Sequence, residues 1–138
     1  MRTLIAITAF AVALAFAGSA MAQSRATVTT HGSTYGTILF DGRGFALYAF
    51  TKDSRGRSAC AGACAKAWPP YTVARAAQAR GAKVGTIRRA DGRLQVTYAG
   101  RPLYYYIGDR KAGQILCQNV REFGGLWLVV RPDGTLVR

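Results

Sequence analysis

Ala46-Leu47-Tyr48-Ala49-Phe50-Thr51-Lys52-Asp53 and Pro102-Leu103-Tyr104-Tyr105-Tyr106-Ile107-Gly108-Asp109 are two copies of one pattern: tyrosine, any residue, an aromatic, any two residues, aspartate. In an extended strand residues i and i+2 share a face. Tyr48 therefore stands beside Phe50, and Tyr104 beside Tyr106, while Leu47 and Ala49, or Leu103 and Tyr105, face the other way. Each aspartate falls just past the strand end, where it accepts hydrogen bonds from loop N–H groups or pairs with an arginine and so fixes how the chain leaves the sheet. A larger repeat surrounds both copies. Gly36-Thr37-Ile38 precedes the first and Trp68 follows it; Gly85-Thr86-Ile87 and Trp127 do the same for the second. The offset between equivalent signals grows from 49 to 56 to 59 residues, so the second copy carries seven extra residues before its motif, which read as a hairpin arm. Order preserved across two halves is the mark of a duplicated unit. It predicts two related units, about 33–73 and 84–131, sharing one core about a pseudo-twofold.

Period-two alternation and turn clusters place the remaining strands. Ser33 to Phe40 runs into Asp41-Gly42-Arg43-Gly44, and Phe45 to Thr51 returns. Val84 to Arg89, the Asp91-Gly92 turn and Leu94 to Tyr98 form a second hairpin, and Ala99-Gly100-Arg101-Pro102 turns into Leu103 to Ile107. Leu126 to Val130 reads as a buried strand, and Thr135 to Val137 as an edge after Pro132-Asp133-Gly134. Sixteen glycines and thirteen phenylalanines and tyrosines suit turns and strands. The alanine-rich stretch from Cys60 to Ala82 supports one short helical turn near Ala61 to Ala67, stopped by Pro69-Pro70. Ala74 to Ala82 reads equally as a helical turn or a loop. The expected class is thus all-β: a small antiparallel domain of two repeats with one or two short helical turns.

Outside this domain stands a leader. Arg2 is followed by the apolar run Leu4 to Phe16, and Ala20-Met21-Ala22 is the small-x-small pattern cleaved before Gln23. Residues 1–22 read as a signal peptide and 23–138 as the single domain, placed in the periplasm or outside the cell. The apolar run is too short for a bilayer, which needs about 20 residues, and no other stretch predicts a span. Of 19 Lys and Arg only Arg2 lies in the leader, leaving 18 against 6 Asp and Glu, a formal +12 in place of +13. That excess favours anionic envelope components as partners. The cations are scattered along the chain, which together with the compartment argues against nucleic acid.

The two motif copies, with Ser58-Ala59-Cys60-Ala61-Gly62-Ala63-Cys64-Ala65-Lys66-Ala67-Trp68-Pro69-Pro70 between them, resemble a family of bacterial secreted repeats and predicted lipoproteins named for a Y-x-(F/W/Y)-x-x-D motif. The likeness runs from about Gly36 to Val130 and implies an envelope location without an established reaction. Lipid-anchored members carry a cysteine just after the apolar run, whereas the first cysteine here is Cys60.

Cys60 and Cys64 in an oxidising compartment read as a disulfide, leaving Cys117 as a free thiol in a monomer or as the link of a covalent dimer. Other chemistries compete for the same residues. Cys60, Cys64 and His31, the single histidine, would make a copper site if the sulfurs were thiolates. Paired motif rings exposed on a surface would stack on a sugar or a porphyrin, so copper or haem handling is the runner-up function, with no cofactor as the first expectation. Asp53 and Asp109, if the pseudo-twofold brought them together, would supply paired-carboxylate hydrolysis. Against catalysis stands the inventory: a single glutamate, Glu122, no nucleophile elbow and no phosphate loop. The expectation is a non-catalytic binding or structural module, with Trp68 and Trp127 in its core.

Overall fold

The computed structural model describes residues 25–138, and the leader read over 1–22 lies outside the described residues. Nine short strands and one helix follow in order: β1 (Val28–Ser33), β2 (Gly36–Asp41), β3 (Tyr48–Phe50), α1 (Ala63–Ala67), β4 (Thr72–Val73), β5 (Val84–Arg88), β6 (Leu94–Tyr98), β7 (Arg101–Pro102), β8 (Val120–Glu122) and β9 (Gly125–Val129). All ladders between these strands are antiparallel: β1 with β2; β3 with β9 and β9 with β8; β6 with β4, β5 and β7. The domain is all-β, with α1 and a single 3₁₀ turn at Ala76–Gln78 in the stretch that sequence left open.

The two halves fold alike and are interlaced. Tyr48 and Tyr104 exchange both backbone hydrogen bonds at 2.9 Å, placing the pseudo-twofold between the motifs. Around it the bonds recur in pairs. Leu47 N–H donates to the Leu39 carbonyl as Leu103 N–H donates to Val96, and Leu39 N–H donates to Val130 as Val96 N–H donates to Tyr71. Each tryptophan-bearing segment thus pairs with the other half. β9, after Glu122, lies on β3, while the Pro69 to Val73 segment lies along Tyr105 and β6.

Both faces of the motif strands are buried, as the alternation requires. One face carries Tyr48, Phe50, Tyr104, Trp68 and Trp127 in an aromatic core; the other carries Leu47, Ala49 and Leu103 in a mostly aliphatic one with Leu39, Val96 and Val130.

Several strands differ from expectation for local reasons. Ser33 to Phe40 is not one strand: the chain reverses at Thr34-Tyr35, where the Ser33 hydroxyl accepts from Tyr35 N–H and donates to the Gly36 carbonyl. Gly36 there takes φ +84°, open to glycine without strain. The expected strand Leu103 to Ile107 shrinks to single bridges of Tyr104 to Tyr48 and to Pro70, and β7 falls just before it, on Arg101–Pro102 of the expected turn. Pro102, Pro69 and Pro70 offer no N–H, so a continuous ladder cannot form there. Thr135 to Val137 contributes one bridge, Leu136 to Val130. The seven extra residues do not form an added arm: β5 and β6, closed by Arg89 N–H on Arg93 and Gly92 N–H on Arg89, are the counterpart of β1 and β2. Val96 holds against Leu103 the place that Leu39 holds against Leu47, and Gly85-Thr86-Ile87 on β5 therefore does not correspond to Gly36-Thr37-Ile38 on β2.

Candidate functional site

The motif side chains meet across the pseudo-twofold. Tyr48 donates its phenol proton to Asp109 at 2.7 Å, and Tyr104 donates to Asp53 at 2.8 Å, so each half's tyrosine is held by the other half's aspartate. The second oxygen of each carboxylate closes the loop that follows it: Asp53 accepts from Ala59 N–H at 2.7 Å and Asp109 from Leu116 N–H at 2.9 Å. These bonds explain the spacing of the motif. In this fold the tyrosine facing the core and the aspartate five residues on, past the strand end, each take their partner from the other copy.

The rings repeat the exchange. Trp68 and Trp127 stack at 4.1 Å with 3° between planes. Phe50 stacks on Trp127 at 4.2 Å and Tyr106 leans on Trp68 at 4.8 Å, while Tyr48 meets Trp68 and Tyr104 meets Trp127 edge-on. Tyr48, Tyr104, Trp68 and Trp127 are all fully buried. The paired rings are therefore not exposed side by side for a sugar or porphyrin: Tyr48, Phe50 and Tyr104 are in a packed interior and Tyr106 alone is half-buried.

Equivalence breaks in the surrounding charges. On one side a relay runs inward from Asp53. Because Tyr104 gives its proton to Asp53, the Ser58 hydroxyl at 2.7 Å donates to Tyr104. Ser58 in turn accepts from Arg89 Nη1 at 3.0 Å. Arg89 is 7 % exposed and also donates to Gln95 Oε1 and to the Cys60 carbonyl. On the other side Asp109, equally 7 % exposed, has Tyr48 and Leu116 but no cation bonded to it among the described residues. Burial pushes the carboxyls of both aspartates up. Each carboxylate has both oxygens engaged, Asp53 by Tyr104 and Ala59 and Asp109 by Tyr48 and Leu116. Burial likewise holds the Tyr48 and Tyr104 phenols well above their usual range.

The tryptophans also differ. Trp68 Nε1 donates to Glu122 at 2.8 Å, whereas Trp127 Nε1 is buried with no partner among the described residues. Five residues before Trp127 stands Glu122, and five before Trp68 stands Ala63. The first half thus has a methyl group at the position equivalent to the carboxylate that serves Trp68.

Cys60 and Cys64 form a disulfide with Cα atoms 5.3 Å apart, at the start of α1. Neither sulfur is a thiolate, and His31 stands exposed on β1 with its ring 5.6 Å from Phe40, so Cys60, Cys64 and His31 do not assemble as metal ligands. Cys117 is a free, half-buried thiol packed against the aromatic core, and burial raises it above the usual thiol range. Closing so short a loop contributes about 2 kcal/mol in the chain-entropy picture. Cys60→Ser/Cys64→Ser is expected to lower the melting temperature by roughly 8–16 °C, at about 4–8 °C per kcal/mol, while leaving far-ultraviolet circular dichroism unchanged below the transition. Loss of the folded signal at 20 °C would show that the disulfide is required for the fold.

Sequence reasoning missed Arg89, Gln95, Asp41 and Tyr105. Asp41 is 3 % exposed and accepts from Arg43 N–H, Phe45 N–H, the Arg43 guanidinium and the Tyr105 hydroxyl. Burial pushes its carboxyl up, but these donors outweigh burial and leave it below the usual range. Polar residues at inward positions of hairpins, Gln95 between Leu94 and Val96 above all, were the available signal.

Compared with known proteins, residues 29–72 and 85–131 each match the family described as a secreted repeat of unknown function. No curated protein and no solved structure matches the chain.

Proposed function

The chain belongs to the family of secreted repeats of unknown function, and we propose that this member is a non-catalytic envelope module, a rigid two-repeat scaffold that associates with anionic envelope components through its surface. We further propose that it acts in the periplasm or outside the cell after cleavage following Ala22, as a monomer. The half-buried setting of Cys117 favours a thiol over an intermolecular link.

One observation carries this reading. The motif's polar atoms are engaged with one another inside the fold, and the charge left outside is overwhelmingly positive. Of the 18 Lys and Arg among the described residues only Arg89 is buried. Asp41 and Asp109 are withdrawn inside and Asp53 is half-buried, so Asp91, Asp133 and Glu122 are the exposed acids. Excess surface charge of one sign raises the local concentration of opposite-sign partners. No helix among the described residues is long and apolar enough to cross a membrane. The runner-up, copper or haem handling, gains no support from Cys60, Cys64 and His31, whose sulfurs are joined.

The test is adsorption of the purified protein to vesicles of anionic phospholipid and to a polyanionic glycan, with zwitterionic vesicles and a neutral glycan as controls. Binding to the anionic partners at about 20 mM salt, weakened tenfold or more at about 0.5 M as the Debye length shrinks to a few ångströms, is the expected result. Equal retention by neutral and anionic surfaces would overturn the proposal.

A further inference from the structure

The two halves carry equivalent clefts that differ in how they are filled. One, of about 620 Å³, lies between Tyr105, the Gly42-Arg43 turn and the segment Thr72 to Ala74; the other, of about 310 Å³, lies between Ala49, the Gly100-Arg101 turn and the segment Asp133 to Thr135. At the motif's offset of 56 residues Ala49 corresponds to Tyr105, and at the tryptophans' offset of 59 Asp133 corresponds to Ala74. In the larger cleft the polar groups around Tyr105 satisfy one another, while Arg25 at its rim has no side-chain bond to any described residue. The Tyr105 ring leans on Tyr71 at 5.2 Å, its hydroxyl donates to Asp41 at 2.9 Å, and the Arg43 guanidinium lies 5.7 Å from the ring.

In the smaller cleft Ala49 stands where the other half has that ring, and the space is left open over Ala49 and Phe50, each 2 % exposed. Its cations are not consumed. Arg55 lines it with no hydrogen bond or ion pair to any described residue. Arg101 donates from Nε to the Gly134 carbonyl at 2.9 Å, which fixes its guanidinium and leaves the terminal nitrogens without a partner among the described residues. Of the two nearby acids Asp53 is fully answered and Asp133 in part. Asp53 has both oxygens on Tyr104 and Ala59 and feels the Arg89 charge from within. Asp133 accepts from both the N–H and the hydroxyl of Thr135 on Oδ1 alone, with Arg131 and Lys83 as neighbouring charges, and its Oδ2 stays open at the rim. What remains is an apolar floor beneath two unmatched guanidinium groups. Such planar forks suit carboxylate and phosphate oxygens.

We propose that this cleft binds a single anionic group, carboxylate or phosphate, carried on a body about the size of one sugar ring. This rests on the reading of anionic partners given above and narrows it to one place. A cleft near the lower end of the roughly 300–1,000 Å³ range of small-molecule sites admits one terminal unit of a polymer or one headgroup, not a chain.

Titration of the purified protein with glucuronate, glucose 6-phosphate, inorganic phosphate and glucose, followed by calorimetry at about 0.15 M salt, tests the proposal. Glucuronate or glucose 6-phosphate should bind with a Kd near the millimolar range, and glucose should not; the tighter of the two acids names the source of the charge. Arg55→Gln removes a side chain with no internal bond, so its fold should be unchanged, and should weaken binding by about tenfold or more. Ala49→Tyr, which restores the ring of the other half, should abolish it. Arg88→Gln, outside the cleft, should leave it unchanged. Equal weakening by Arg55→Gln and Arg88→Gln, with adsorption to polyanions intact, would overturn the site while leaving the broader function standing. Absence of binding by either acid would overturn it as well, and inorganic phosphate binding as tightly as glucose 6-phosphate would remove the ring from the ligand.

Discussion

Trp127→Ala should be among the most destabilising single substitutions in this protein, costing about 3–5 kcal/mol out of a total of roughly 5–15 kcal/mol for a domain of this size. The ring lies between Trp68 at 4.1 Å and Phe50 at 4.2 Å and receives the edge of Tyr104 at 5.1 Å. Each such pair adds about 0.5–1.5 kcal/mol beyond the area it buries. Trp68→Ala should cost a similar amount. The informative contrast is with phenylalanine. Trp127→Phe removes an indole N–H that is buried without an acceptor, and an unmatched donor costs about 1–3 kcal/mol to bury. Trp68→Phe instead deprives Glu122 of its donor, and Glu122 is exposed enough for water to replace it. Part of the packing lost at Trp127 is therefore offset, and Trp127→Phe should be the milder change by about 1 kcal/mol. Urea unfolding of the four variants, followed by circular dichroism, gives the comparison. A Trp127→Phe variant less stable than Trp68→Phe would mean that the indole N–H of Trp127 is satisfied in solution.

The duplication was legible because it is written in side-chain type as well as spacing: tyrosine, aromatic and aspartate fall at the same strand positions in both halves, and those positions have matching surroundings in the fold. The exchange between halves was not legible. Nothing in a strand pattern says whether Tyr48 turns to Asp53 five residues on or to Asp109 across the axis. That choice is made by the antiparallel meeting of Tyr48 and Tyr104, a contact 56 residues apart in sequence. The short strands β4 and β8 escaped notice for a related reason. Two or three residues give no periodicity, and Thr72-Val73 and Val120 to Glu122 become strands only because β6 and β9 supply an edge. Arg89 was only one of the cations scattered along the chain; its burial follows from the hairpin turn that aims it at Ser58 and Cys60.

The crossed pairing predicts an unequal response to loss of the two aspartates. Asp53→Ala strips the carboxylate from a relay that ends on the buried Arg89 guanidinium, and an uncompensated buried charge costs about 3–5 kcal/mol. The lower end is expected, because Asp91 remains 3.7 Å from Arg89 Nε. Asp109→Ala leaves only the Tyr48 hydroxyl and the Leu116 N–H without an acceptor, at about 1–3 kcal/mol. Double-mutant cycles then read the topology directly. Tyr48→Phe should couple to Asp109→Asn by 0.5 kcal/mol or more, and be additive within about 0.5 kcal/mol with Asp53→Asn. The reverse pattern would place each tyrosine on its own half's aspartate. The pH dependence of stability carries a sign of its own. The folded-state carboxyl of Asp109 is raised, so the native state holds its proton more tightly than the unfolded chain does. Its contribution is therefore present in full below the unfolded carboxylate range and is lost as pH rises through the folded value. Asp41, held below the usual range, behaves oppositely, contributing above that range and losing its effect as pH falls through its folded value. Asp109→Asn abolishes the first of these terms and leaves the second, so its penalty relative to the natural protein should shrink as pH is raised from about 4 to about 7. A penalty that grows over the same interval would mean that the carboxylate, once charged, is favoured by a cation near Tyr48.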